Sequence, residues 1–310
     1  MRFRSILLFS LASLLPAPAR AAGWESVDWR KATAPRVKAL LANTSRSAWE
    51  HVPVSRSNDP GRHFPPGDAS ALLLAATYSS RPEVVQDMLD AGGRADGTGP
   101  DAPLLYAARF NPEPRIIKVL VAGGARVKAD LGYPILARPA LTYAAQSNPS
   151  VAVIDELLED GAAINAKVSV LDNMGFTSLM YAAQCNRNPE VVRELVKRGA
   201  GIELADAMSR TPLVFAAQYN ENPKVLEALL AAGAKVNFSC RDYSKVGWTP
   251  LMFAAASSAS PLPKVAALLA AGADAKARCQ EGKTALDLAN ANARIKHGSP
   301  AYRALLKASD

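Results

Sequence analysis

The sequence predicts an all-α solenoid of helix-turn-helix units that are joined by β-hairpin-like fingers. Two observations support this fold class. A short motif that ends in Ala-Ala occurs six times and is followed by a degenerate seventh copy, at intervals of 32 to 38 residues. In each of the first six copies a glycine follows the first alanine by 17 or 18 residues. Regular repeats of this length are typical of solenoids, in which neighbouring units bury each other's apolar faces.

The Ala-Ala motif predicts the first helix of each unit. It consists of an apolar residue, any residue, an aromatic residue or leucine, and then two alanines, which leave room for close helix packing. The first alanines of the seven copies are Ala75, Ala107, Ala144, Ala182, Ala216, Ala254 and Ala289.

An apolar stretch that ends in glycine predicts the second helix. Its apolar residues lie three and four positions apart, which gives a helix one buried stripe. The glycines are expected to end the helix in the left-handed conformation, and they are Gly92, Gly124, Gly161, Gly199, Gly233 and Gly272. Prolines between the two helices are expected in the first turn of the second helix, and they are Pro82, Pro112, Pro149, Pro189 and Pro223.

Several short motifs in these repeats resemble those of a known family. Thr211-Pro212-Leu213, Thr249-Pro250-Leu251, Gly161-Ala162 and Val236-Asn237 resemble the ankyrin repeat, and the resemblance covers residues 69–310. Asn-Pro pairs between the helices are similar to those of many bacterial ankyrin proteins. Together with the signal-peptide layout of residues 1–21, the chain resembles an exported, periplasmic ankyrin-repeat protein. The resemblance implies a non-enzymatic scaffold that binds a protein partner through the concave face of the array.

The ends of the chain predict three segments. Residues 1–21 have the layout of a secretory signal peptide, with basic residues, an apolar run and a small-residue cleavage site after Ala19 or Ala21. Residues 22–68 are interpreted as an N-terminal capping segment with a long loop. Residues 69–310 form the array of about seven repeats, the last of which is a C-terminal cap with Tyr302, Leu305 and Leu306 facing inward.

The charge and the predicted signal peptide together indicate where the protein acts. Loss of residues 1–21 leaves 33 basic and 28 acidic residues, so the net charge falls from +8 to +5. This surplus is too small to indicate nucleic-acid binding. We expect a periplasmic or secreted monomer that has no stable membrane insertion after signal cleavage.

No motif indicates catalysis. The chain contains no Gly-rich phosphate loop, no Gly-x-Ser-x-Gly elbow and no His-Glu-x-x-His. His51 and His63 flank Asp59, but their spacing matches no common ligand motif. We therefore predict that the protein is not an enzyme and has no catalytic residue, metal site or cofactor.

The partner-binding residues are predicted from the shape of the array. Solenoids bind through the concave wall that the fingers and the first helices form. This wall should be lined by the side chains that directly follow the Ala pairs and by those that directly precede the threonine at the start of a first helix. We expect Phe176, Trp248 and Tyr243 to be exposed aromatic anchors. The predicted contact residues are Arg109, Gln146, Gln184, Gln218, Tyr219, Phe176, Arg210 and Trp248.

The three cysteines allow two patterns of pairing. Cys240 and Cys279 occupy matching places in adjacent fingers, seven residues after their glycines. A disulfide between them suits an oxidising compartment, but packed neighbouring units place backbones further apart than a bridge tolerates. Both states stay open at this point. Cys185 ends a first helix and is expected to be a free thiol, either facing a partner or half-buried and inert.

The sequence leaves rival functions open. The first is the protein-binding scaffold described above. A second is an accessory, protective factor for a periplasmic redox enzyme such as a catalase or peroxidase, and a third is a secreted effector. The partner itself has no signature in the sequence.

Overall fold

The fold is taken from a computed structural model of the chain. It describes residues 23–44, 46–53, 68–96, 102–128, 138–168, 175–241 and 244–310. The predicted signal peptide, His63 and Tyr243 lie outside the described residues.

The chain begins with a small N-terminal unit. Its elements are a 3-10 helix (Trp24–Ser26), helix α1 (Ala34–Asn43), helix α2 (Arg46–Glu50) and the two-residue antiparallel strands β1 (Val52–Pro53) and β2 (Asp68–Ala69). The buried indoles of Trp24 and Trp29 stack with their ring centroids 5.9 Å apart. Helix α1 packs against the second helix of the first repeat, as that helix does against the next one.

Seven helix pairs follow in the described part of the chain. The first members, here called inner helices, are α3 (Ala71–Tyr78), α5 (Pro103–Phe110), α7 (Ala140–Ser147), α9 (Ser178–Cys185), α11 (Pro212–Tyr219), α13 (Pro250–Ala256) and α15 (Ala285–Ala291). The second members, here called outer helices, are α4 (Pro82–Asp90), α6 (Pro114–Ala122), α8 (Val151–Glu159), α10 (Pro189–Lys197), α12 (Pro223–Ala231), α14 (Pro261–Ala270) and α16 (Pro300–Ser309). The all-α repeat architecture predicted from the sequence is confirmed.

The Ala pairs explain how the inner helices stack. Both alanines of each of the six complete pairs are fully buried. Because alanine has no side chain beyond Cβ, neighbouring inner helices approach more closely than neighbouring outer helices, whose contacts are fewer. This difference curves the stack and places the inner helices on its concave side.

The predicted glycine caps are confirmed. All six glycines have φ between 86° and 97°. At Gly161 the amide donates to the carbonyl oxygen of Leu158, and the next amide, of Ala162, donates to that of Leu157. These bonds close the end of the outer helix, and only glycine reaches this backbone conformation without strain.

The interhelical prolines are not all equivalent. Pro82, Pro189 and Pro223 begin outer helices as predicted. Pro112 and Pro149 instead lie two residues before the helix, in the connecting loop, so the prediction was wrong for these two. In both loops the proline directly follows a buried asparagine. In the sequence these Asn-Pro pairs look the same as those of later repeats, in which the proline begins the helix.

A ladder of buried asparagines connects successive repeats. Each side-chain amide donates two hydrogen bonds of 2.8 to 2.9 Å to carbonyl oxygens of the preceding repeat. The ladder asparagines are Asn111, Asn148, Asn186 and Asn220, and Asn292 makes the same kind of contact further along the chain. Carbonyls at the end of each inner helix lack partners in their own helix, so the ladder satisfies groups that would otherwise be buried unpaired.

At one position of the ladder, a serine and a lysine take the place of the asparagine. Ser257 stands where asparagine is expected and donates its hydroxyl to the carbonyl oxygen of Gln218 at 2.7 Å. The fully buried Lys264 extends from α14, and its Nζ lies 3.1 Å from the carbonyl oxygen of Asn220, 3.4 Å from that of Ala216 and 3.2 Å from Ser257 Oγ. Burial lowers the pKa of Lys264 to about 8.

The fingers between the repeats close as short hairpins. Val168 forms an antiparallel bridge with Phe176, and Cys240 exchanges backbone hydrogen bonds with Gly247 and Trp248. At the other end of the array Leu305 is buried and Tyr302 is partly buried, as predicted for a cap. Leu306 is exposed, contrary to the prediction, because it lies one position beyond the buried stripe of α16.

Candidate binding surface

The predicted polar row lies on the last turns of the inner helices. The row is Arg109, Gln146, Gln184 and Gln218, here called the groove row, and all four side chains are half-buried. Tyr219 follows directly and is 41% exposed. Because the residues hold the same position in successive inner helices, the structure brings them together along the concave side of the stack.

Two arginines meet around one tyrosine in this groove. The guanidinium carbon of Arg138 lies 4.4 Å from the ring centroid of Tyr143 and 4.9 Å from that of Tyr181. The guanidinium carbon of Arg109 lies 6.0 Å from the Tyr143 centroid and 4.9 Å from that of Phe110. All four distances are within the range of cation–π interactions. Arg138 was missed at the sequence level, although it occupies the place before the inner helix that Arg210 holds two repeats later.

Gln146 connects this cluster to Cys185. Arg138 Nη1 donates to Gln146 Oε1 at 3.0 Å, and Gln146 Nε2 lies 4.0 Å from the Cys185 sulfur. Burial acts to lower the pKa of Arg138, but its contacts with Tyr181 and Tyr143 raise it overall. Partial desolvation raises the pKa of the Cys185 thiol, although the nearby amide and the two arginines oppose this shift.

Arg210 differs from Arg138 because it has an internal counter-ion. Its Nε and Nη2 both lie 2.8 Å from Oδ2 of the buried Asp206. The other carboxylate oxygen accepts from the backbone amides of Met208 and Arg210, at 3.0 and 2.7 Å. The Arg210 guanidinium also lies over the ring of Phe215, at 4.8 Å. Asp206 therefore holds Arg210 in the wall of the groove and neutralises its charge.

The expected exposure of Phe176 is wrong. This residue is 2% exposed and packs edge-on against Phe215, with the ring centroids 4.6 Å apart, and against Tyr181 at 5.3 Å. Its backbone pairs with Val168 in the finger hairpin. The hairpin turns the ring into the space between two inner helices, so Phe176 belongs to the core.

Trp248 is partly buried rather than fully exposed. Its ring packs against Phe253 with the centroids 5.2 Å apart, and Lys245 Nζ lies 5.2 Å from its ring. A cleft of 350 Å³ opens beside it, lined also by Val246 and Cys279. The indole thus anchors its finger, and only part of it is available for contact.

Comparisons with known proteins agree with this geometry. Three copies of the family model described as ankyrin repeats match residues 104–206, 164–240 and 213–309. The chain belongs to the ankyrin repeat family. Among solved structures it is similar to the crystal structure of the human ASB11 ankyrin repeat domain, with a TM-score of 0.61 and 25% identity over 78% of this chain and 98% of that chain. No curated protein matches it. Ankyrin repeats generally mediate protein–protein interaction, and the family is typically non-enzymatic.

The described residues of the ankyrin array, which include all three cysteines, form no disulfide. Cys185 is exposed, and both Cys240 and Cys279 are buried. The Cys240 thiol donates to the carbonyl oxygen of Lys245 at 3.0 Å within its own finger. The bridge that the matching positions allowed is not formed in the structure, because the thiol of Cys240 is directed to its own finger.

Within the described ranges, no group of three or more His, Cys, Asp or Glu side chains could hold a metal ion. None of the helices in the described part of the chain has the length and apolar character to span a bilayer. A cleft of 710 Å³ lies between the fingers of the fifth and sixth repeats, lined by Lys235, Phe238 and Arg241 among others. It contains none of the predicted contact residues.

Proposed function

We propose that this ankyrin array is a non-enzymatic module that binds a protein partner in its concave groove. The observation that carries the proposal is the groove row itself, which places half-buried polar side chains at equal positions on four successive inner helices, with the exposed Tyr219 directly after the last of them. Amides both donate and accept hydrogen bonds, and tyrosine is enriched among residues that dominate binding energy.

The groove is rigid before the partner arrives. The asparagine ladder bonds each inner helix to its neighbour at the point where the groove row ends. A preorganised surface loses little conformational entropy on association. This rigidity supports a binding role even though no single side chain defines the partner.

Site-specific photo-crosslinking tests the groove directly. A photoreactive phenylalanine analogue would replace Gln184 or Tyr219 in the groove, or Arg193 or Lys224 on the outer helices as matched controls. The variants would be irradiated in an extract of the source cells. We expect a discrete protein adduct from the two groove positions and none from the two outer positions. Adducts only from the outer positions, or none from either face, would reject the proposal.

We propose further that the protein acts as a monomer outside the cytoplasm and does not bind nucleic acid. The proposal is supported by the signal-peptide layout of residues 1–21 and by the net charge of only +5 after their removal. N-terminal sequencing of the protein from its source should begin at Arg20 or Ala22. An intact N-terminus in a cytoplasmic fraction would contradict the location.

A further inference from the structure

Arg109 and Arg138, here called the arginine pair, form the one place in the groove where cationic charge is concentrated without a counter-ion among the described residues. Both guanidinium groups lie beside the Tyr143 ring, since the central carbon of Arg109 is 6.0 Å and that of Arg138 is 4.4 Å from its centroid. Arg138 donates to a neutral acceptor, the amide oxygen of Gln146, and also contacts the side chains of Tyr143 and Tyr181. Arg109 Nε is buried and has no hydrogen-bond partner.

Arg210 provides an internal comparison. It holds the same place in its repeat as Arg138, yet it is paired with the buried Asp206. No ion pair joins Arg109 or Arg138 to a carboxylate in the described ranges, and the inner helices α3, α5, α7, α9, α11 and α13 contain no acidic residue. Among the residues that the structure describes, one groove arginine is thus neutralised and two have no anionic partner.

The two halves of the groove consequently differ in chemistry. The half formed by the second to fourth repeats holds the arginine pair with the phenol rings of Tyr143 and Tyr181. The half formed by the fourth and fifth repeats presents Gln184, Gln218 and the exposed Tyr219, next to the neutralised Arg210. An occupant that complements both halves must carry negative charge at one end and neutral or aromatic groups at the other.

We propose that the arginine pair binds the carboxylates of an acidic segment in the protein partner. This inference rests on the proposed function, because it names the chemistry of the partner that the groove receives. A guanidinium binds carboxylate through two parallel N–H donors, and the bond is stronger when it is partly removed from water. Neighbouring side chains of an extended segment are a few ångströms apart, so one or two carboxylates fit around Tyr143.

A selection from a random 12-residue peptide display library tests the proposal without a known partner. The immobilised full chain is the bait, and the composition of bound peptides is compared with that of the starting library. We expect enrichment of Asp and Glu. For a selected acidic peptide, R109Q and R138Q should each weaken binding about tenfold, because each removes one charge-assisted contact. Binding should also weaken as salt rises from low to high concentration.

Two controls keep the result specific. R193Q removes the same charge from the exposed face of α10 and should not change the affinity. R138K keeps the charge but loses the planar donor pair, so it should weaken binding less than R138Q if charge alone matters and equally if the planar geometry is required. Circular dichroism melting curves verify that each variant is folded.

The outcomes separate this inference from the proposed function. The selection could instead yield neutral peptides whose binding is abolished by substitution of Gln184 and Tyr219 but not by R109Q or R138Q. That result would overturn the proposal that the partner segment is acidic and would leave the proposed groove function intact. Peptides that are insensitive to every groove substitution, or no enrichment of any sequence, would overturn both. Acidic peptides that bind R109Q/R138Q as well as the original chain would also reject the arginine pair as their site.

Discussion

The buried Lys264 should make the stability of the array depend on pH in the alkaline range. Its amine is fully buried and surrounded by three neutral oxygens, with no carboxylate among its hydrogen-bond partners. Burial lowers its pKa from 10.5 to about 8. Between these two values the unfolded chain binds the proton and the folded chain does not, so the free energy of unfolding rises with pH.

The magnitude follows from the two pKa values. A tenfold difference in proton affinity is worth about 1.4 kcal/mol. Integrated from pH 7 to pH 10, the folded state should gain about 2.5 kcal/mol from this single group. The gain is absent below pH 7, where both states are protonated, and it is complete above the unfolded pKa.

The assay compares the original chain with Lys264→Met by urea denaturation at pH 7 and pH 10. Titration of all other groups cancels in the difference between the two proteins. We expect the original chain to gain about 2.5 kcal/mol over the variant as the pH rises. Lys224→Met, which changes an exposed lysine on α12, should show no such difference. An equal effect of Lys264→Met at both pH values would refute the reasoning, because the amine would then be as hydrated in the folded chain as in the unfolded one.

Three further predictions concern the ladder, a helix cap and the thiols. Asn186→Ala leaves two buried carbonyls without donors, so urea denaturation should show a loss of about 3 kcal/mol, and a loss below about 1 kcal/mol would contradict the ladder. Gly199→Ala should cost about 1 kcal/mol in the same assay, because φ is 94° and no atom lies within 4 Å of the added carbon; an unchanged stability would contradict the strain. Thiol titration in denaturant without reductant should count three thiols, whereas a count of one would reveal a disulfide.

The repeat architecture was readable from the sequence because its signals are local. Full burial restricts the positions of the Ala pair to alanine, and a positive φ restricts the capping position to glycine. Both signals recur at the same spacing in successive repeats. The positions of the groove row were predictable for the same reason, since they follow the Ala pairs directly. These features depend on spacing along the chain and on no contact between distant residues.

Other features could not be predicted because they depend on contacts between repeats. Asn148-Pro149 and Asn188-Pro189 look alike in sequence, yet Asn148 is a ladder residue and Asn188 caps a helix. The burial of Phe176 depends on the direction in which its finger turns. Asp206 lies four residues before Arg210, and only the fold of the finger brings the carboxylate to the guanidinium.

The ladder and the groove are coupled through the backbone of the inner helices. Gln218 and Tyr219 belong to the groove, and the next residue, Asn220, is a ladder asparagine. The carbonyl oxygen of Gln218 itself accepts from Ser257 of the following repeat. The backbone that carries each groove side chain is therefore held from both neighbouring repeats. A loss of ladder bonds should loosen the groove and weaken binding without removing any contact with the partner, whereas substitution of a groove side chain should weaken binding at unchanged stability.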